Sequence, residues 1–147
     1  MKVKITIDPD VEKKYNCKSI PELVMIYLHD PNGWAKHGYN FTEVSSNENV
    51  LISLSSPKTI SKVCGFSNLS CAEVGGNRMY LNADRWFNGS SKSKLPLINY
   101  RQYMVSHEMG HILGHKHEKC SHKGYPAPIM MQQTLGIANC SPNTAVQ

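Results

Sequence analysis

Residues 107–117 read His-Glu-Met-Gly-His-Ile-Leu-Gly-His-Lys-His, and their types and spacing suit a metal ion with a base beside it. On a helix, positions four apart lie about 40° apart around the axis and about 6 Å along it. His107 and His111 can then aim two imidazoles from one face at a single ion. Glu108 is rotated about 100° from His107, which places its carboxylate beside the ion, where it can take a proton from a metal-held water. Gly114 accepts the left-handed conformation with which a chain leaves a helix and doubles back. His117, three residues later, supplies a third nitrogen. Three neutral imidazoles leave one position open for water, the pattern of a catalytic zinc site. His115 competes as third ligand, but it adjoins Gly114 and needs a tighter turn; His122 is expected at the surface. At this chain's own frequencies the five fixed positions arise by chance roughly 5 times in 100,000, so a merely solvated His-rich helix end explains them poorly.

The elements that must position these groups are legible in part. Tyr100, Tyr103, Met104, His107, His111 and Ile112 recur at helical spacing, which predicts a helix over 99–113. Val3, Ile5 and Ile7 alternate with Lys4 and Thr6, as in a half-buried first strand. Ser19 and Glu22 have capping-box spacing with Pro21 in the first turn, so a helix is expected over 21–29, stopped by Asp30-Pro31-Asn32-Gly33. Phe41 and Val44, then Val50, Ile52 and Leu54, read as two short strands separated by a polar turn at 45–49. A brief helix is expected over 57–63. Residues 71–82 read as strand, Gly75-Gly76-Asn77 turn and strand, with Met79 and Leu81 on one face and Tyr80 on the other. Residues 82–86 read as the end of that strand, followed by a polar loop at 88–94. Trp34, Phe66, Trp86 and Phe87 are expected in the core or the wall of a cleft. Beyond Gly114 the composition predicts mostly irregular structure.

Composition narrows the classes. A chain of 147 residues fits one domain, and 40% hydrophobic with 18% charged residues supports a packed core. The longest apolar run, Leu23–Leu28, falls far short of the ~20 residues that span a bilayer, and the N-terminus, MKVKITIDPD, has no apolar stretch of a secretory signal. The net charge of +5 is scattered, with Lys13 and Lys14 the one adjacent basic pair, so no nucleic-acid partner is expected. The five cysteines are Cys17, Cys64, Cys71, Cys120 and Cys140. Spacing leaves their connectivity open, and five reduced thiols are one alternative.

The run from His107 to His117 matches the metzincin zinc-peptidase pattern HExxHxxGxxH at every fixed position, and Ala127-Pro128-Ile129-Met130-Met131 resembles the Met-turn of that clan. More closely, residues 34–143 resemble a bacterial family of mostly exported, metzincin-like domains of unknown function. The resemblance is carried by Cys64 and Cys71, Asn82-Ala83-Asp84-Arg85-Trp86, Tyr100-Arg101-Gln102-Tyr103, the histidine segment, Cys120, Pro126-Ala127-Pro128, Gln132-Gln133-Thr134-Leu135-Gly136 and Cys140. It implies disulfides Cys64–Cys71 and Cys120–Cys140, with Cys17 unpaired, and Met130 beneath the metal. It also implies an α+β, metzincin-like zincin fold: a small twisted mixed sheet with a backing helix and an active-site helix, then a short irregular C-terminal subdomain. The whole, 1–147, is expected as one metallopeptidase-like domain with an upper part at about 1–114, a lower part at about 115–147 and a cleft between them. One departure stands out. Several metzincins carry a Tyr two residues after the Met-turn Met as an extra ligand or transition-state donor. Here Met131 and Gln132 follow Met130, leaving Tyr125 or Gln132 as candidate donors.

The expected function is a zinc-dependent endopeptidase with one Zn²⁺ per chain held by His107, His111 and His117. Glu108 is the general base that activates a metal-held water. The alternative is a catalytically weak or inactive zinc-binding module that recognises peptides. A peptide or protein substrate is expected to lie extended along the cleft, paired with an edge strand at 69–74. The protein is expected to be a monomer. Its cysteine usage points to an extracellular or otherwise oxidising setting.

Overall fold

A computed structural model describes residues 1–147. Five strands, β1 (Lys2–Ile7), β2 (Thr42–Glu43), β3 (Val50–Ser55), β4 (Cys71–Ala72) and β5 (Arg78–Asn82), form one sheet in the order β2-β1-β3-β5-β4. The first four in that order run parallel, while β4 is antiparallel to β5, so the sheet is mixed. The strands on either side of the 45–49 turn are therefore not a hairpin. β1 lies between them and pairs in parallel with both, Val3 standing opposite Glu43 and Val50. The reason is burial: β3 is buried at every position but Leu51, as an interior strand flanked by neighbours and covered on its faces must be.

Five helices accompany the sheet. α1 (Pro9–Lys14) follows β1 directly and escapes a periodicity reading because only Val11 is buried. Its Pro at the start, acidic Asp10 and Glu12 in the first turn and Lys13 and Lys14 in the last suit the helix dipole. α2 (Ile20–Leu28) buries Ile20, Val24, Met25, Tyr27 and Leu28. The capping box expected at its start is not made: Ser19 is in the right-handed helical region and its side chain caps nothing. The chain enters through a preceding turn instead, with Ile20 N–H donating to Cys17 O at 3.1 Å.

α3 (Pro57–Cys64) starts on Ser56, whose Oγ accepts from Thr59 N–H at 3.3 Å. Residues 83–86 do not extend a strand but open α4 (Ala83–Asn88). Asn82 ends β5 and caps α4 at once, its Oδ1 accepting from Asp84 N–H at 3.0 Å; that side-chain acceptor offers the backbone an alternative to the sheet ladder.

α5 (Leu97–Ile112) is buried at every position from Tyr100 to Ile112 except Arg101. It is thus a central helix rather than a surface one, packed on the sheet and α2 and bonded to the C-terminal segment through Tyr103 and His107. After it the chain is irregular, apart from a 3-10 turn at Gln133–Leu135 and a single bridge between Pro126 and Ser141. Cys64–Cys71 and Cys120–Cys140 are disulfides, and Cys17 is free and buried; two such bonds are consistent with an oxidising setting. No helix is long and apolar enough to cross a membrane. The architecture is α+β, as expected from the sequence.

Candidate metal centre

His107 and His111 leave α5 one turn apart and His117 returns to them from the segment beyond it, so that one nitrogen of each lies within 4.8 Å of the others. The return depends on Gly114, whose φ of 101° lies where an L side chain is strained. His115 N–H then donates to Gly110 O at 2.9 Å and Glu118 N–H to Met130 O at 3.0 Å, fixing the chain on both sides of His117.

Backbone carbonyls decide which nitrogen of each helical histidine faces the cluster. His107 Nδ1 lies 2.8 Å from Ile129 O and His111 Nδ1 lies 2.8 Å from His115 O. A carbonyl only accepts, so Nδ1 carries the hydrogen in both rings and Nε2 presents a lone pair. His111 Nε2 lies 3.1 Å from His117 Nε2. Lone pairs converging in this way suit a cation. Burial pushes His107 down to about 3, opposed by its bond to Ile129 and assisted by His111 and His117. His111 and His117 are also lowered, chiefly by burial. All three rings are therefore neutral near pH 7, the form that binds metal.

Glu108, between the two helical ligands in sequence, is buried and its Oε2 has no hydrogen-bond partner. Burial alone raises its carboxyl to about 8. A buried carboxylate atom without a donor is costly and is relieved by a nearby cation or water. Three neutral imidazoles form a donor set that fits a divalent ion such as zinc, and a cation held there would favour the ionised form of the Glu108 carboxyl.

Beside the histidines opens a cavity of about 190 Å³ whose walls include Phe66, Leu69, Tyr100, Met104, Gln132 and Thr134. Gln132 thus stands near the three rings. Tyr125 does not: it is 61% exposed, its ring tilted against His122 at 4.9 Å between ring centres, and it lines no part of this cavity. His122 is at the surface, as expected. The edge strand beside the cavity is β4, shorter than the expected 69–74 because only Cys71 and Ala72 pair with β5.

Two residues that hold the centre together are missed by sequence reasoning. Tyr103, one turn before His107, donates its hydroxyl to Met131 O at 2.8 Å and accepts from Gln133 N–H at 2.9 Å, tying the Met130 turn to α5. Its i, i+4 relation to His107 was the available signal. Gly110 is the other. A Cβ there would overlap Met130 Sδ and come within 2.8 Å of Trp34 Cζ2. The signal was a glycine inside a helix, where it costs about 1 kcal/mol relative to Ala. Met130 is buried against that glycine.

A comparison with curated proteins finds no match. Among solved structures, the crystal structure of archaemetzincin from Archaeoglobus fulgidus complexed with malonate is similar at 16% identity and a TM-score of 0.42, covering 94% of this chain and 96% of that one. A family model described as protein of unknown function, DUF3152, matches residues 2–145, and the chain belongs to that family.

Proposed function

We propose that the protein is a zinc-dependent endopeptidase, with His107, His111 and His117 as the metal ligands and Glu108 as general base. The observation that carries this reading is the convergence of three neutral imidazole nitrogens beside a buried carboxylate whose Oε2 has no other partner. A purely structural site has no use for an acid at that offset. Zinc held by three nitrogens supplies Lewis acidity, polarising a carbonyl and making water a nucleophile near neutral pH.

Glu108 takes a proton as the water oxygen bonds to the peptide carbonyl carbon. It then passes that proton to the departing nitrogen, so the C–N bond breaks to leave a carboxylic acid and an amine. Gln132, in the cavity wall, is the candidate side-chain donor to the carbonyl oxygen in place of the missing tyrosine. Substrate lies extended and pairs with the edge strand β4. An apolar substrate side chain would meet Phe66, Leu69, Tyr100 and Met104 in the cavity lining. The chain acts as one domain, residues 1–114 and 115–147 bounding the cleft.

The test is a peptide-library digest with zinc-loaded wild type and Glu108→Ala, alongside elemental analysis of both. Glu108→Ala should keep one zinc per chain and lose at least 10²–10⁴-fold in hydrolysis. If wild-type protein binds zinc and extended peptides but cleaves nothing that Glu108→Ala spares, the chain is a recognition module instead.

A further inference from the structure

Trp34 lies far from the histidine segment in sequence but directly behind it in space. It begins a 3-10 turn, Trp34–His37, immediately after the turn that stops α2, and is 5% exposed. Its indole N–H donates to Ser106 O at 2.8 Å, one residue before His107. Its Cζ2 lies against the bare backbone of Gly110. Its ring face stacks on the His115 imidazole, with 4.7 Å between ring centres and 24° between planes.

His115 is exposed, and among the aromatic rings it stacks on Trp34 alone. Its backbone, however, is committed on both sides. The N–H donates to Gly110 O at 2.9 Å, and the C=O accepts from His111 Nδ1 at 2.8 Å. The carbonyl that sets the tautomer and the aim of His111 therefore belongs to a residue whose ring is laid on Trp34. Two residues later the same turn delivers His117. Gly114, with its left-handed conformation, gives this turn no side-chain brace of its own, so the stack on Trp34 adds an anchor outside the turn to the backbone bonds.

We propose that the Trp34–His115 stack is a positioning device for the metal centre. It holds the turn after Gly114 so that His115 O orients His111 and His117 closes the site, and it makes His115 a support rather than a ligand. The inference rests on the three-histidine metal reading but not on peptide hydrolysis. Partners that orient metal ligands are commonly worth 10- to 100-fold in affinity; a single exposed stack belongs at the lower end of that range.

The experiment is zinc affinity and release rate, by competition with a chromophoric chelator, for wild type, His115→Ala and His115→Phe, with thermal melting of each metal-free protein. His115→Ala keeps the backbone carbonyl that His111 uses but removes the stack. It should bind zinc about tenfold more weakly, mainly through faster release, with melting of the metal-free form within a few degrees of wild type. His115→Phe restores an aromatic face without a nitrogen and should return affinity to within about threefold. Unchanged affinity in His115→Ala overturns the inference. So does weak binding that His115→Phe fails to restore, which would make the imidazole nitrogen itself a ligand. Wild-type protein without zinc affinity removes the metal reading and this inference together. Zinc binding without peptide cleavage removes only the peptidase reading.

Discussion

The two halves of the histidine cluster are held in different ways. His107, Glu108 and His111 stand on α5, where the repeating backbone ladder sets their spacing and the surrounding core buries them. His117 stands on residues 113–147, which have almost no ladder. There the backbone is satisfied by scattered turn and bridge bonds, such as Ala127 N–H to Ser141 O at 2.8 Å, and by side chains: Asn143 Nδ2 donates to Ala127 O and Ala145 O at 2.9 and 2.8 Å, and Gln133 Nε2 donates to Asn143 O at 2.9 Å. Cys120–Cys140 closes this region covalently. Regular secondary structure positions a group through local bonds, whereas irregular chain needs specific long-range staples. The helical half should therefore outlast the irregular half when either is stressed.

The largest break in that comparison comes from the disulfide. Cys120→Ser with Cys140→Ser should lower stability by about 3 kcal/mol on loop-entropy grounds, read by denaturant unfolding. Hydrogen exchange should show protection lost first over 113–147 while α5 remains protected. Equal loss in both regions would mean that the two halves unfold as one unit and the contrast has no energetic content.

A smaller effect is expected where the halves meet. Gly110→Ala gains about 1 kcal/mol of helix propensity but forces a methyl group into Met130 Sδ and the Trp34 ring, at about 1–3 kcal/mol for overpacking. A net loss of up to about 2 kcal/mol should appear in thermal unfolding. A gain in stability would show that the Met130 turn yields and is not fixed against α5.

The subtlest test is pH, and it bears mainly on the helical half. In metal-free protein His107 titrates at about 3 against an ordinary 6.5. Its contribution is complete above pH 6.5 and is lost as pH falls toward 3. Glu108 titrates at about 8 against 4.5. Its contribution is complete below pH 4.5 and is lost as pH rises through 8. Between 4.5 and 6.5 the Glu108 slope opposes that of His107, but His111 and His117, also lowered by burial, add to the histidine side, so stability should be greatest near pH 6.5 and fall on both sides. Glu108→Gln should lack the alkaline decline. A wild-type profile that is flat from pH 6.5 to 8 would mean that the Glu108 carboxyl is not held up by burial.

Local rules make the chemistry of α5 readable in the sequence. Helical periodicity fixed the angular relation of His107, Glu108 and His111, because it depends on residues within one turn of each other. Gly114 announced the reversal through its own conformational freedom, and alternation in β1 and around Met79 and Leu81 in β5 marked buried strand faces. Errors appeared where a local signal competed with a neighbour. Ser19 had the spacing of a cap but was drawn into the preceding turn, and residues 83–86 read as strand although the side chain of Asn82, at the end of β5, takes the first amides of α4.

Tertiary structure alone decided the rest. Which histidine nitrogen faces inward depends on Ile129 O and His115 O, acceptors supplied by chain that folds back on the helix. The placing of β1 between β2 and β3, the choice of Gln132 over Tyr125 beside the cavity, and the seating of Trp34 behind Gly110 and His115 likewise join residues remote in sequence. Periodicity registers only what one element repeats along itself. A stack or hydrogen bond between distant segments leaves no period, so it exists only once the chain has closed.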